Sequence, residues 1–535
     1  RAPAGVFAAC EEELAQRRAR YGWREIAGHE LPAHADVADY EQLPRDERFA
    51  SKHEWVSLSV LGAPPADERP AGDADLVATV ASHRALFEGR ELRPRVLEAD
   101  RWRSDEEFGR ALLHGSHCTY LRRCTALPEG FAALGGLSSV TGALAAGDLY
   151  CADYALLEGV TPYPGRYLAA PTVLLRADRE RRCLLPVAIR VTREDGAPIF
   201  TPEDSEADWL TAKLWARLAD VSVQQISSHF LECHAVIEAF AVAAQRTLPT
   251  AHPVYQLLAP HLKHAIAINV LARKYLLADG GLIDSIMSIG GDGKFALMSR
   301  AYQQLSLAET LALPRDLRHR GVDGDDGPDG IDYHYRDDAR LLWEATATYV
   351  ERIVAIFYGS DDDVARDRYL QAWLTEFNTR GYPRSDLPRS LTARAALAEL
   401  LAGVIFTASA KHATHNYMQY ESYALSLFTP ASLFAPPPQQ KGQGTTASLA
   451  ALLPPPSMIK RVIEAVTLLS MRFAEDVPLG GDPVVRFGDP AARMAAAQFR
   501  DALRRIEAVL AARNQDRAIA YDVLLPSRVP NGVVL

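Results

Sequence analysis

The chain has 535 residues, of which 48% are apolar and 24% charged, with a formal net charge of −10. That composition belongs to a globular protein with a large core, and the length allows two to four domains or one large helical unit. The acidic balance and the lack of a long Lys/Arg run argue against nucleic acid as a partner, because such binding rests on clustered cations.

The six cysteines (Cys10, Cys118, Cys124, Cys151, Cys183 and Cys233) form no CxxC pair and read as single thiols rather than a disulfide framework. No stretch reaches the roughly 18 uninterrupted apolar residues of a transmembrane segment. The sequence opens with Arg1 rather than Met. The expectation is a soluble monomer, cytoplasmic or secreted, that has lost an N-terminal segment.

In chain order, residues 1–100 read as an N-terminal helical extension packed on the main domain, with helical patches at 7–21 and 75–87 and Pro-rich connections such as Ala63-Pro64-Pro65. No separate β-domain is expected there. Between 147 and 191 the pattern changes to strands, at 149–157 and then 172–175 and 183–191, the last two split by a polar turn as in a β-hairpin. From 208 onward a 3.6-residue period predicts helices near 208–218, 222–245, 255–277, 338–357, 364–379, 390–425, 458–474 and 489–512. Ser457 is the expected start signal of one of them. Two loop-like stretches, 321–330 and 435–446, do not separate different compositions. The fold class is therefore mainly α, one large helical domain over 101–535 with a small β-sheet element.

Three of the fifteen histidines fall in long apolar helices at informative spacings. His229 and His234 are five residues apart, which on an ideal α-helix leaves their rings about 140° apart. A π-bulge, with its i→i+5 bond, would bring both to one side, and such bulges favour functional sites. His412 and Asn416 are i,i+4 neighbours on one helical face. Either segment alone is more simply a set of satisfied core residues. Together they offer three imidazoles and an amide without a thiolate, a donor set for iron or manganese rather than structural zinc. An anionic ligand from Asp or Glu would complete it. A further group, His114, His117, Cys118 and Cys124, is crowded into one short helical stretch and is disfavoured as a zinc site.

These segments resemble the lipoxygenase family. His229-Phe-Leu-Glu-Cys-His234-Ala-Val-Ile-Glu238-Ala-Phe240 is similar to the family's HxxxxHxxxEPF signature, with Ala239 where Pro is usual, and it continues through His252-Pro253 to Ile268-Asn269-Val-Leu-Ala272-Arg273. Ser409-Ala-Lys-His412-Ala-Thr-His415-Asn416-Tyr-Met-Gln419-Tyr420 resembles SAxHAAVNFxQY, and the ending from Leu524 to Leu535 resembles LxPxxIPNSxxI. Shorter matches at 102–110, 149–157, 208–215 and 313–316 extend the likeness over about 100–535.

The resemblance implies a lipoxygenase-type catalytic domain like that of the shorter bacterial forms without an N-terminal β-barrel. It implies non-haem iron, cycling between Fe2+ and Fe3+, held by His229, His234, His412, the weaker Asn416 and the main-chain carboxylate of Leu535, which takes the place of an internal Asp or Glu; manganese is the alternative. The implied reaction inserts O2 into the cis,cis-1,4-pentadiene of a polyunsaturated fatty acid, free or esterified, after hydrogen abstraction by ferric hydroxide. Gln225 matches a glutamine between metal and substrate channel. Ala272 matches a position where Ala goes with S-configured products, and Leu276 a leucine crowding the pentadiene. His415 stands where Val is usual, and a supporting role is expected of it rather than ligation. The rival functions are a hydroperoxide isomerase forming epoxyalcohols on the same fold, and a helical lipid-binding protein with a vestigial metal site.

Overall fold

The computed structural model describes residues 4–52, 54, 75–132, 134, 138–324, 330–481 and 487–534. Its centre is a rod running from 206 to 247 without a break: the α-helix Glu206–Val223 (α1), a π-helical segment Gln224–Ala235, and the α-helix Val236–Thr247 (α2). Backbone angles at both joins stay helical, at Gln224 (φ −58°, ψ −51°) and Val236 (φ −62°, ψ −45°). The rod is buried on nearly every side, its polar residues Lys213, Arg217, Asp220, Gln224 and Glu238 as well as its apolar ones.

A second composite helix lies against it. The α-helix Arg394–Phe406 (α3) passes through a π turn, Thr407–Lys411, into the helix His412–Tyr417 (α4). The predicted helix at 390–425 is therefore segmented, and it breaks at Met418 before resuming over Gln419–Tyr423. The segment expected as one helix over 255–277 is likewise divided. Pro260 removes a ladder donor from Pro253–Leu262, and His264 then takes a left-handed conformation (φ 66°) before helix Ala265–Ala272 and a π turn Arg273–Leu277. Ser457 is not a cap. The helix Pro456–Leu469 begins on a proline pre-set for the first helical turn, two residues earlier than expected.

The predicted hairpin is present as Thr172–Asp178 paired antiparallel with Cys183–Arg190, from Thr172↔Arg190 to Asp178↔Cys183. It forms the middle of a five-stranded antiparallel sheet completed by Arg122–Arg123, Leu149–Asp153 and Ile199–Phe200. The stretch expected as a strand over 149–157 pairs only to Asp153 and then coils into a 3-10 turn, Ala155–Leu157. Because strand side chains alternate, Val173 and Leu175 enter the main core while Leu174 enters a small satellite core with Phe131 and Leu149. The helix Asp105–His114 sits directly on the strand at Gly109, where a Cβ would fall 1.8 Å from the Leu184 carbonyl oxygen.

At the N-terminal side, Arg17 donates to the Leu248 carbonyl (2.7 Å) and to Gln245, fastening the helix Ala4–Arg20 to the end of the rod. At the other end of the chain, residues 529–534 are buried. Gly532 lies so close to the His261 carbonyl that a Cβ there would approach its oxygen to 2.6 Å.

One buried charge pair ties the helix Leu282–Ile286 to the next one, Asp292–Gln304. Asp284 accepts from the backbone N–H of Gly280 and Gly291, both at 2.9 Å, and from Lys294 Nζ at 2.6 Å. Both side chains are almost wholly out of solvent. Removing one partner of such a pair strands the other. Asp284→Ala is expected to cost about 3–5 kcal/mol in urea unfolding, Lys294→Met less, and the double variant to recover part of the Asp284→Ala loss.

Candidate metal centre

The π ladder of Gln224–Ala235 puts His229 and His234 on the same side of the rod, with their Nε2 atoms 3.2 Å apart. His412, delivered by the π turn of the second composite helix, brings its Nε2 to 3.2 Å from that of His234. The three ring nitrogens all lie within 4.8 Å of one another, and all three residues are buried. Two ligands at right angles around an ion with bonds of about 2.1 Å would stand about 3 Å apart, so the spacing fits one ion.

The protonation states fit as well. Burial, reinforced by the neighbouring imidazoles, holds His229 and His412 well below the ordinary histidine value, and burial lowers His234 to about 4. Neutral rings keep lone pairs available for a cation. The orientation of His234 is fixed from behind. Its Nδ1 lies 2.9 Å from Asn269 Oδ1, while Asn269 Nδ2 donates to the His234 carbonyl (2.9 Å) and to Glu238 (2.7 Å). Glu238 accepts two hydrogen bonds from Arg273 and one from the backbone of Ala35.

One face of the cluster opens on an apolar cavity. Gln225, His229, His234, Ala272, Leu276 and Asn416 all line it. His412 stands behind this wall, and Leu535 lies outside the described residues. A hydrogen-bonded amide row borders the cavity, Gln225 Nε2 donating to Gln419 Oε1 (2.6 Å) and Gln419 Nε2 to Asn416 Oδ1 (3.2 Å). His415 is outside the three-ring cluster. Its ring lies 6.4 Å from that of His229 and nearly parallel to it, and its Nε2 pairs with Thr119 Oγ1 at 3.2 Å. Among the described residues, His114, His117, Cys118 and Cys124 do not form a metal-ligating group.

Asn269, Glu238 and Gln419 belong to the same motifs as the clustered histidines, but spacing assigned them no task. Gln419 was within reach of such reasoning, being three residues beyond Asn416 and seven beyond His412, one face of the unbroken helix the sequence predicts there. The tie between Asn269 and His234 spans 35 residues of sequence and carries no periodic signal.

Fold and site define a mainly helical protein built around a buried three-histidine cluster that can hold a metal ion beside an apolar cavity. The sequence profile described as Lipoxygenase matches residues 131–523. Human polyunsaturated fatty acid lipoxygenase ALOX15B is 33% identical, the match covering 98% of this chain and 79% of that protein. The allene oxide synthase-lipoxygenase protein of Plexaura homomalla is 32% identical over 100% of the chain, which spans 53% of that protein's length. The structures of a calcium-dependent 11R-lipoxygenase and of coral 8R-lipoxygenase each superpose with a TM-score of 0.90 at 30% identity, covering all of this chain and 81% and 82% of theirs. A fungal lipoxygenase from Fusarium graminearum, 23% identical, shares the fold with a TM-score of 0.83. The chain belongs to the lipoxygenase family, whose members are non-haem iron dioxygenases.

Burial alone would raise the Glu238 carboxyl, but the Arg273 guanidinium outweighs it and holds it below its ordinary value of 4.5. A depressed carboxylate stabilises the fold above the unfolded-state value, and that stability is lost as pH falls through the folded value. Glu238→Gln is therefore expected to be less stable than the parent near neutral pH. The gap between their urea midpoints should narrow progressively below about pH 4.5.

Proposed function

We propose that this protein oxygenates polyunsaturated fatty acids, free or esterified, removing a bis-allylic hydrogen from a cis,cis-1,4-pentadiene and inserting O2 at one carbon to give a hydroperoxide. The observation that carries the reading is the junction of three neutral, buried imidazoles with a cavity whose walls are otherwise almost wholly apolar. His229, His234 and His412 would hold the iron, with Asn416 as a weaker ligand and the main-chain carboxylate of Leu535 as the anionic one; the same donors would accept manganese. Bound there, the metal supplies one-electron oxidation of the substrate's bis-allylic carbon.

The chain's own contribution is placement. A methylene chain enters the cavity because its apolar walls exclude water. Ala272 and Leu276, on consecutive turns of one wall, confine the pentadiene against the imidazole face, and the small Ala272 leaves room beside the reacting carbons. Gln225 and Gln419 lock each other and hold the Asn416 amide in one orientation. Asn269 keeps the His234 ring turned so that Nε2 faces the cluster.

His229→Ala or His412→Ala is expected to abolish both bound iron, by elemental analysis, and conjugated-diene absorbance with linoleate or arachidonate. Full activity with retained iron would exclude these ligands. Asn269→Ala should weaken Fe(II) binding by about 10–100-fold in chelator competition while leaving the three imidazoles in place. Conversion of added lipid hydroperoxides to epoxyalcohols, with no diene formed from the fatty acid, would favour the isomerase instead.

A further inference from the structure

The segment His114-Gly-Ser-His117-Cys-Thr119 runs between the two composite helices that carry the three imidazoles, and fatty-acid oxygenation gives it no task. His117 lies with Nδ1 2.7 Å from Asp220 Oδ1 and Nε2 3.0 Å from Ser228 Oγ. A carboxylate only accepts, so Nδ1 donates to Asp220, and Nε2 meets the Ser228 hydroxyl on the other side of the ring. Asp220 is held in turn by Arg217 (2.8 Å) and by the Tyr154 hydroxyl (2.9 Å). An Asp–His–Ser row of this kind activates a nucleophile where substrate can reach the serine. Here Ser228 is buried and does not line the central cavity, so the row holds rather than reacts.

What it holds is the π turn. A helical serine commonly bonds back to the carbonyl four residues earlier. The Ser228 hydroxyl is instead drawn sideways to His117, while its carbonyl accepts from Cys233 Sγ five residues on. Ser228 immediately precedes His229, so this bond fixes the azimuth at which His229 leaves the rod. The same short segment grips the other helix. Ser116 Oγ donates to the His415 carbonyl at 2.5 Å, and Gln224 Nε2 bridges Ser116 Oγ and that carbonyl. Thr119 Oγ1 meets His415 Nε2. His415 lies three residues from His412.

We infer that residues 116–119 are a brace that sets the register between the two ligand-bearing helices, with His117 and Ser228 as positioning residues for His229. The inference rests on the three-imidazole reading of the iron site. It also gives the histidine at 415 a use, since its ring offers Thr119 a polar partner that a valine would not.

The test is Ser228→Ala in the full-length protein, which deletes one oxygen and leaves every imidazole, with Ser228→Thr restoring the hydroxyl and His229→Ala as control. Fe(II) affinity of the folded apo-protein is read by anaerobic chelator competition, and the melting temperature of the same samples is recorded separately. Ser228→Ala is expected to weaken Fe(II) binding about tenfold or more. Ser228→Thr is expected to restore it, and the ferric protein's electron paramagnetic resonance signal should broaden only in the alanine variant. Unchanged affinity in Ser228→Ala, whether or not its melting temperature falls, would overturn the brace. Iron retained by His229→Ala would instead overturn the ligand assignment on which it rests.

Discussion

The site depends on one departure from ideal helix geometry. Two histidines five residues apart diverge by about 140° on an α-helix and cannot share an ion. Widening the ladder to i→i+5 over Gln224–Ala235 brings their Nε2 atoms to 3.2 Å. A π turn is poorer in backbone geometry than the α-helix around it and persists only where surroundings over-determine it. Here both flanks continue as α-helix, nearly every side chain is buried, and the Ser228 hydroxyl and carbonyl are both engaged within the fold. The turn Thr407–Lys411 does the same for His412 on the second helix. A π turn is not by itself a mark of chemistry, however. The segment Phe377–Gly381 lies against the far end of the rod, where Phe377 stacks on Phe240 at 3.8 Å, away from the three-histidine cluster.

Gathering three imidazoles in a dry interior would be costly if any carried charge, and burial settles the matter by keeping them neutral. Charge is admitted only one layer further out, and there it is paired. Glu238 meets Arg273, Asp220 meets Arg217, and Lys411 meets Glu232 at 2.8 Å. None of these six side chains lines the cavity. The formal charges that fix the histidine-bearing helices thus stay clear of the apolar cavity.

The parts visible in the sequence were those whose signal is local. The hairpin at 172–190 shows in its Val- and Leu-rich runs and the polar turn between them, and the i,i+4 pair His412/Asn416 shows in its spacing. The His229/His234 spacing is legible only when a π turn is allowed, because a strict 3.6-residue period counts it as evidence against a shared site. Helix ends were less readable. Nothing at 263–264 is Gly or Asn, the usual residues for a left-handed cap, so the break at His264 had no signature beyond Pro260. At 456–457 two start signals competed, and the proline took the first turn. The links from His234 to Asn269 and from His117 to Asp220 and Ser228 join residues 35, 103 and 111 positions apart, which no periodicity encodes.

These features divide the labour of the site between two kinds of surface. Around the imidazoles, directional hydrogen bonds leave little freedom, since each ring or amide that turned would strand a buried polar partner. Across the cavity, by contrast, Leu271, Ala272, Leu276, Ile286 and Val462 offer only shape. A flexible hydrocarbon chain gains nearly the same free energy from any apolar wall it covers, so which carbon comes to rest beside the ring cluster is decided by volume and not by polar recognition. Substitutions that enlarge or fill those wall positions should therefore redirect the chemistry along the substrate without disturbing the centre. Changes to the buried polar scaffold should act the other way, on the centre first.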